Sequence, residues 1–210
     1  MSSIGPTAAL EPQSVTLRDR RLGVLLAVSG LVGLVAASVL LVEKIRILRD
    51  PSYVPSCSIN PILNCGSVMN TSQAEAFGFP NPILGIAGFS MLLTAGVALA
   101  SGFIPPRWFW ISLQAGVTAG VVFVHWLIFQ SLYRIGALCP YCMAVWAVTI
   151  PTFWYTTLFN LGAGHLTRVP RPSQLSRLLI DNHGILLTGW CLVIVGLITE
   201  RFWDYWSTLI

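Results

Sequence analysis

The sequence predicts an all-α integral membrane fold, and two observations carry that prediction. Of the 210 residues, 55 % are hydrophobic and only 10 % are charged, where a soluble domain carries about 25 %. The twelve Lys and Arg and eight Asp and Glu leave five long uncharged stretches, 22–42, 76–106, 108–133, 135–167 and 182–199. A bilayer core about 30 Å thick takes about 20 apolar helical residues to cross, so each stretch has room for one span. The formal charge of +4 builds no nucleic-acid surface. Beyond Arg18, Arg20 and Arg21, with Asp19 among them, the basic residues never cluster.

Each element follows in order. Residues 1–17 are rich in Ser, Pro, Thr and Ala and read as a flexible cytoplasmic tail. The first apolar run, behind Arg18 to Arg21, imitates a secretory signal. It is longer than a cleaved signal's hydrophobic region and no polar domain follows, so it reads as the first span. The segment from about residue 43 to 82 is the only long loop, and Pro51, Pro55, Pro61, Pro80 and Pro82 exclude one continuous helix. Residues 66–77 contain no Pro and predict a short helix over the membrane face. Pro82 suits the first turn of the second span, where its missing N–H costs nothing, and Gly102, Pro105 and Pro106 close it. Residues 107–130 make the third span. The turn around Arg134 and Gly136 is too short for a domain, so the fourth span, from near Leu138 to before Arg168, returns antiparallel beside it. A polar linker, 161–183, leads to the fifth span, 184–202, and a short tail. No repeat of fixed period is visible. The units expected are therefore 1–17, a core of 18–160, the linker 161–183, and 184–210.

The positive charges orient the chain. With the N-terminus inside, seven basic residues and three acids (Glu11, Asp19, Asp181) face the cytoplasm, while five basic residues and five acids lie outside. Cytoplasmic segments carry the Lys and Arg excess. The expectation is a multi-pass protein of the cell inner membrane, N-terminus cytoplasmic and C-terminus exterior.

The cysteines carry the chemistry. Four of the five fall in two pairs, Cys57 with Cys65 in the loop and Cys139 with Cys142 in Cys-Pro-Tyr-Cys. The topology puts all four at the exterior face, where disulfides form and persist. A cysteine opening a helix meets free N–H groups and the positive end of the dipole, which stabilise a thiolate. Cys142 lies about 4.5 Å deeper at 1.5 Å per residue, so the outer thiol meets a protein and the inner one a lipid-soluble molecule. Soluble glutaredoxin-like proteins also carry Cys-Pro-Tyr-Cys, but here MAVWAVTIPTFW follows with no polar face, and a membrane helix is the consistent host. Two blander readings stand beside this one: two structural disulfides, or four thiolates on zinc.

These residues carry a resemblance. Two loop cysteines after the first span, Pro-Asn-Pro-Ile-Leu-Gly at 80–85 opening the second, and Gly-Ala-Leu-Cys-Pro-Tyr-Cys at 136–142 opening the fourth resemble the bacterial vitamin K epoxide reductase (VKOR) family over residues 20–160. The order of the pairs separates it from the DsbB family, whose Cys-x-x-Cys comes in the first exterior loop. The resemblance implies a four-helix bundle around a quinone site with a fifth helix beside it. It also implies the stand-alone form, without a fused thioredoxin-like domain. A separate thioredoxin-fold oxidase of the DsbA type then attacks the Cys57–Cys65 disulfide at Cys65. Cys57 passes the electrons to Cys139, and Cys142 acts on a quinone, menaquinone or ubiquinone, in support of disulfide formation.

The resemblance also implies a quinone pocket. Thr71 matches a hydroxyl position, Asn81 the asparagine that bonds a quinone carbonyl, and Trp146 an aromatic position that is tyrosine in the animal enzyme, which leaves it stacking against the ring. Leu84, Phe89 and Leu127 line the remainder. Each has a plain alternative: an idle helix-face threonine, a turn asparagine, ordinary apolar packing. His125, near the middle of the third span, reads as a neutral histidine hydrogen-bonded between helices, with a proton relay as the alternative. Cys191 reads as a small buried apolar residue. Two other functions compete. A transmembrane reductant conduit needs a cysteine pair reachable from inside, where only Cys191 is available; a membrane scaffold needs only structural disulfides.

Overall fold

A computed structural model describes residues 17–166 and 174–207. The tail expected at 1–17 lies outside the described residues except for Leu17, as do 167–173 of the linker. The first helix, α1 (Leu17–Arg49), has 33 residues, about 50 Å at 1.5 Å per residue. It therefore outruns the uncharged stretch and carries Glu43 and Lys44 up beyond the membrane without a break. Pro51 is the first residue that forbids continuation.

The loop holds α2 (Cys65–Met69) and a 3₁₀ turn (Ser72–Glu75). The single helix expected over 66–77 is thus two pieces. Asn64 caps α2 by accepting from the Ser67 N–H, and Asn70, at φ −90° and ψ 16°, leaves the helical path. Next come α3 (Pro82–Ala100), with Pro82 in its first turn, and α4 (Arg107–Gln130). A π turn (Ser131–Ile135) extends α4 and ends at Gly136, φ +70°, a left-handed conformation that favours glycine. Then follow α5 (Pro140–Ala163), which Cys139 caps, α6 (Gln174–Asp181), α7 (His183–Arg201) and α8 (Trp203–Trp206). The segment read as a polar linker carries a short helix of its own, α6.

Among the described residues five helices are long and apolar enough to cross a membrane: α1, α3, α4 with its π turn, α5 and α7. The fold is all-α, with α1, α3, α4 and α5 as the packed bundle. Helices in lipid gain no hydrophobic drive from each other, so small residues that let backbones touch decide which pairs pack. A Cβ on Gly23 would stand 2.5 Å from the Ala100 nitrogen, and one on Gly30 2.5 Å from the Leu93 nitrogen. The α1–α3 seam is accordingly backbone against backbone. At the end away from the cysteines the core gathers Leu22, Leu26, Leu99, Trp110 and Phe159. Toward the cysteines it gathers Ile62, Ile128, Leu138, Trp146 and Phe202.

The fifth span, α7, buries none of its length, and polar contacts tie it to the bundle. Trp190 donates its indole N–H to His125 Nε2 at 3.0 Å, Trp154 donates to the His183 carbonyl at 3.1 Å, and Arg201 Nε donates to the Leu132 carbonyl at 2.8 Å. His125 Nδ1 lies 2.8 Å from the Val121 carbonyl, so the ring links its own helix α4 to Trp190 of α7. Cys191 is exposed on α7 and not buried as expected, because α7 offers its apolar surface outward.

Candidate redox site

The site is built from the long loop inward. Glu43 and Lys44, both buried, fasten the loop to the top of α1. Glu43 accepts from the Ser56 hydroxyl at 2.9 Å. Lys44 donates to the Met69 carbonyl at 2.8 Å and pairs with Glu75 at 3.0 Å. Buried charges are tolerated when paired and hydrogen-bonded in this way. Between these anchors Cys57 and Cys65 form a disulfide with their Cα atoms 5.6 Å apart.

A second fastening sets the register against α5. Leu63 and Leu138 form an isolated parallel bridge, in which the Asn64 N–H donates to the Leu138 carbonyl at 2.8 Å and the Leu138 N–H to the Ile62 carbonyl at 2.7 Å. Cys65 lies two residues beyond Leu63 and Cys139 one beyond Leu138, and their sulfurs lie 3.1 Å apart. The sulfurs of Cys57, Cys65 and Cys139 all fall within 4.8 Å of one another. All three cysteines are buried, whereas Cys142, one helical turn along α5, is half-buried. Two of the three sulfurs are bonded to each other, so the cluster is an exchange array and not the tetrahedral thiolate set that structural zinc takes.

The surroundings of Cys139 favour its thiolate. The Cys142 thiol hydrogen-bonds to its sulfur, and the N–H groups of Cys142 and Tyr141 add to this at the helix start; together they outweigh burial and hold the Cys139 thiol below its ordinary range.

The residues expected around a quinone are placed as follows. Thr71 donates its hydroxyl to the Val68 carbonyl at 2.8 Å. Asn81 donates Nδ2 to the Gln73 carbonyl at 2.7 Å and accepts from the Ala76 N–H at 3.0 Å, which ties the loop to the start of α3. Leu84 is exposed on α3, and Leu127 is half-buried on α4. Phe89 lies against Gly33 in the α1–α3 seam. Trp146 is buried in one cluster with Leu138, and Cys142 packs against that cluster; its indole Nε1 has no hydrogen-bond partner among the described residues.

Sequence reasoning missed four supporting residues. Glu43 and Lys44 close the first apolar run, and their place at the end of an unbroken helix is the signal that marks them. Arg201 and Phe202 carry no such signal. Arg201 caps the Leu132 carbonyl in the π turn, and Phe202, buried, packs into the cluster that holds Trp146 and Leu138.

The model of the vitamin K epoxide reductase family matches residues 24–157, from α1 through the loop, α3 and α4 into α5. No curated protein matches the chain. The match covers more than half of the sequence and takes in both cysteine pairs, so the chain belongs to the vitamin K epoxide reductase family, the membrane thiol–disulfide oxidoreductases.

Proposed function

We propose that this protein reoxidises a thioredoxin-fold thiol oxidase of the DsbA type outside the cytoplasm and delivers the electrons to a quinone. The observation that carries the order of transfer is the 3.1 Å approach of the Cys65 and Cys139 sulfurs. In that order the partner's thiolate attacks Cys57; an open groove of about 270 Å³ is lined by residues near both loop cysteines, Pro55 and Ser58 on one side and Asn64 and Gly66 on the other. A partner–Cys57 bond forms, the Cys57–Cys65 bond breaks, and the electron pair goes to Cys65. The partner's second thiol then closes its own disulfide and leaves Cys57 reduced. Cys65 attacks Cys139 of an oxidised Cys139–Cys142 pair, and Cys142 leaves as thiolate. Cys57 resolves the Cys65–Cys139 bond, which restores the loop disulfide beside two reduced cysteines, the state of this structure. Each step is a thiolate attack through a mixed disulfide. The assignment exchanges the two loop cysteines relative to the order that the resemblance implied, and the 3.1 Å approach of the Cys65 sulfur to Cys139 supports it, with the Cys57 sulfur within 4.8 Å.

Closing the Cys139–Cys142 disulfide again supplies two electrons to the quinone, which takes up two protons as substrate. Trp146 suits that substrate: a buried indole N–H with no partner among the described residues, one turn beyond Cys142, is a donor for a quinone carbonyl and not only a stacking surface. Asn81 and Thr71, whose polar groups bond the loop backbone, hold the cover of the site in place. Leu84, Phe89 and Leu127 supply apolar walls. The protein sits in the inner membrane with the cysteine face outward.

The test uses purified protein, a reduced DsbA-type partner, and short-chain ubiquinone and menaquinone in turn. Thiol oxidation is expected to require quinone, and Cys142→Ala to abolish it. A partner stripped of its second thiol is expected to be captured at Cys57, mapped by mass spectrometry. Capture at Cys65 would reverse the order, and equal oxidation with and without quinone would reassign the acceptor.

A further inference from the structure

Five polar side chains line one face of α5: Trp146, Thr149, Thr152, Thr156 and Asn160. At 100° per residue their spacings of three and four keep them within an arc of about 120°. All five are buried, Thr156 and Asn160 completely. Trp146 Nε1, Thr152 Oγ1, Thr156 Oγ1 and Asn160 Oδ1 have no hydrogen-bond partner among the described residues. Thr149 donates to the Val145 carbonyl at 2.7 Å and keeps its lone pairs as acceptors.

Four unpaired polar atoms along one interior face of a membrane helix are costly, and buried groups of this kind are ordinarily satisfied by protein or by ordered water. The successive residues rise by about 4.5, 4.5, 6 and 6 Å along the axis. A single water making two hydrogen bonds of about 2.8 Å reaches at most about 5.6 Å, so one water spans each of the first two gaps and a pair of waters each of the last two. The row starts one turn from Cys142 and runs about 27 Å from it to Asn160. At the far end Asn160 donates to Gln114 Oε1 at 2.9 Å, and Gln114, half-buried, donates to Thr157 at 2.9 Å. Asp19, Arg107 and His165 gather at the same end: Arg107 Nε donates to the His165 carbonyl at 3.0 Å, and Asp19 acts electrostatically on His165.

We propose that this row, with bridging water, is a proton path that feeds quinone reduction at Cys142 from the membrane side opposite the cysteines. The proposal rests on the quinone reading above and completes its proton balance. Oxidation of a dithiol partner releases two protons on the cysteine side. Reduction of one quinone by the same two electrons takes up two protons, and the row draws these from the opposite side. The sum is partner dithiol plus quinone plus two protons from one side, giving partner disulfide plus quinol plus two protons on the other. Each turnover therefore moves charge across the membrane as well as making a disulfide.

The full chain in phosphatidylethanolamine–phosphatidylglycerol vesicles, with a pH dye in the lumen, valinomycin and potassium, and single-isoprene ubiquinone in the lipid, gives the test. Reduced thioredoxin added outside addresses only molecules whose cysteines face outward. The lumen is expected to become alkaline by two protons for each disulfide formed. Thr152→Val with Thr156→Val, which keeps the side-chain shape, is expected to lower both quinone reduction and lumen alkalinisation at least tenfold. Reduction of the loop disulfide by thioredoxin without quinone is expected to stay unchanged. Quinone-dependent thiol oxidation with a constant lumen pH overturns the proposal on the unaltered protein, whether or not the double variant folds, and so does a double variant with full alkalinisation. Thiol oxidation that ignores quinone overturns the underlying reading and the proton path with it.

Discussion

Cys139 is where chemistry and position meet. Its thiol is held below the ordinary range first by the hydrogen bond from Cys142 and then by the N–H groups that open α5. A depressed thiol ionises at lower pH, so the thiolate persists as pH falls past the point where an ordinary cysteine protonates. Alkylation of Cys139 is therefore expected to show its pH midpoint below that of an ordinary thiol, and Cys142→Ala to move it up; mass spectrometry of the labelled peptide checks both. Trp146→Phe keeps a ring and removes the N–H. Losing one hydrogen bond of about 0.5–1.5 kcal/mol is expected to raise the KM for a short-chain quinone by about 2- to 10-fold, with kcat toward the dithiol partner largely kept.

At the scale of elements, the two cysteine pairs and the spans were legible because composition and spacing state them directly. The two-piece loop helix was not. The prolines around residues 66–77 mark where a helix cannot run, but the break inside that stretch comes from Asn70 leaving helical geometry, which composition does not express. Nor was the juxtaposition of Cys65 with Cys139, since it depends on a two-bond bridge between residues 63 and 138 that no local pattern encodes. The α1–α3 seam tests packing. Gly96 faces the backbone of Ala27, so Gly96→Leu forces the helices apart and is expected to cost about 1–3 kcal/mol, read as a lower thermal midpoint in detergent. Arg201→Met leaves the Leu132 carbonyl uncapped at the turn that delivers Cys139. A hydrogen bond to a charged group contributes about 1.5–3 kcal/mol, and a comparable loss of thermal stability is expected.

At the scale of the whole molecule, the four cysteines gather where the long loop meets the helical bundle. The fold class and the family were readable because the charges partition the chain and the cysteine motifs have fixed neighbours. What α7 does was not readable, because an apolar span looks alike whether it lines a site or lies outside. Its three polar contacts, through Trp190, His183 and Arg201, show that it lies along the bundle and reaches the redox turn at one end. The polar row on α5 was equally hidden, since scattered threonines in an apolar stretch ordinarily bond their own helix.

The two loop cysteines are held by different walls. Ser56, beside Cys57, is pinned to α1 by Glu43, while Asn64, beside Cys65, is pinned to α5 by the Leu138 backbone. The disulfide is thus a stitch between the loop's two fastenings, and the proposed cycle cuts and resews it at each turnover. A reduced loop is expected to exchange its amide hydrogens faster at residues 53–60 than an oxidised one, while the amides of Asn64 and Leu138 stay protected; hydrogen exchange with mass spectrometry on the two redox forms reads the difference. If the proposed cycle holds, a partner tells a loaded enzyme from a spent one by how firmly its target cysteine is held.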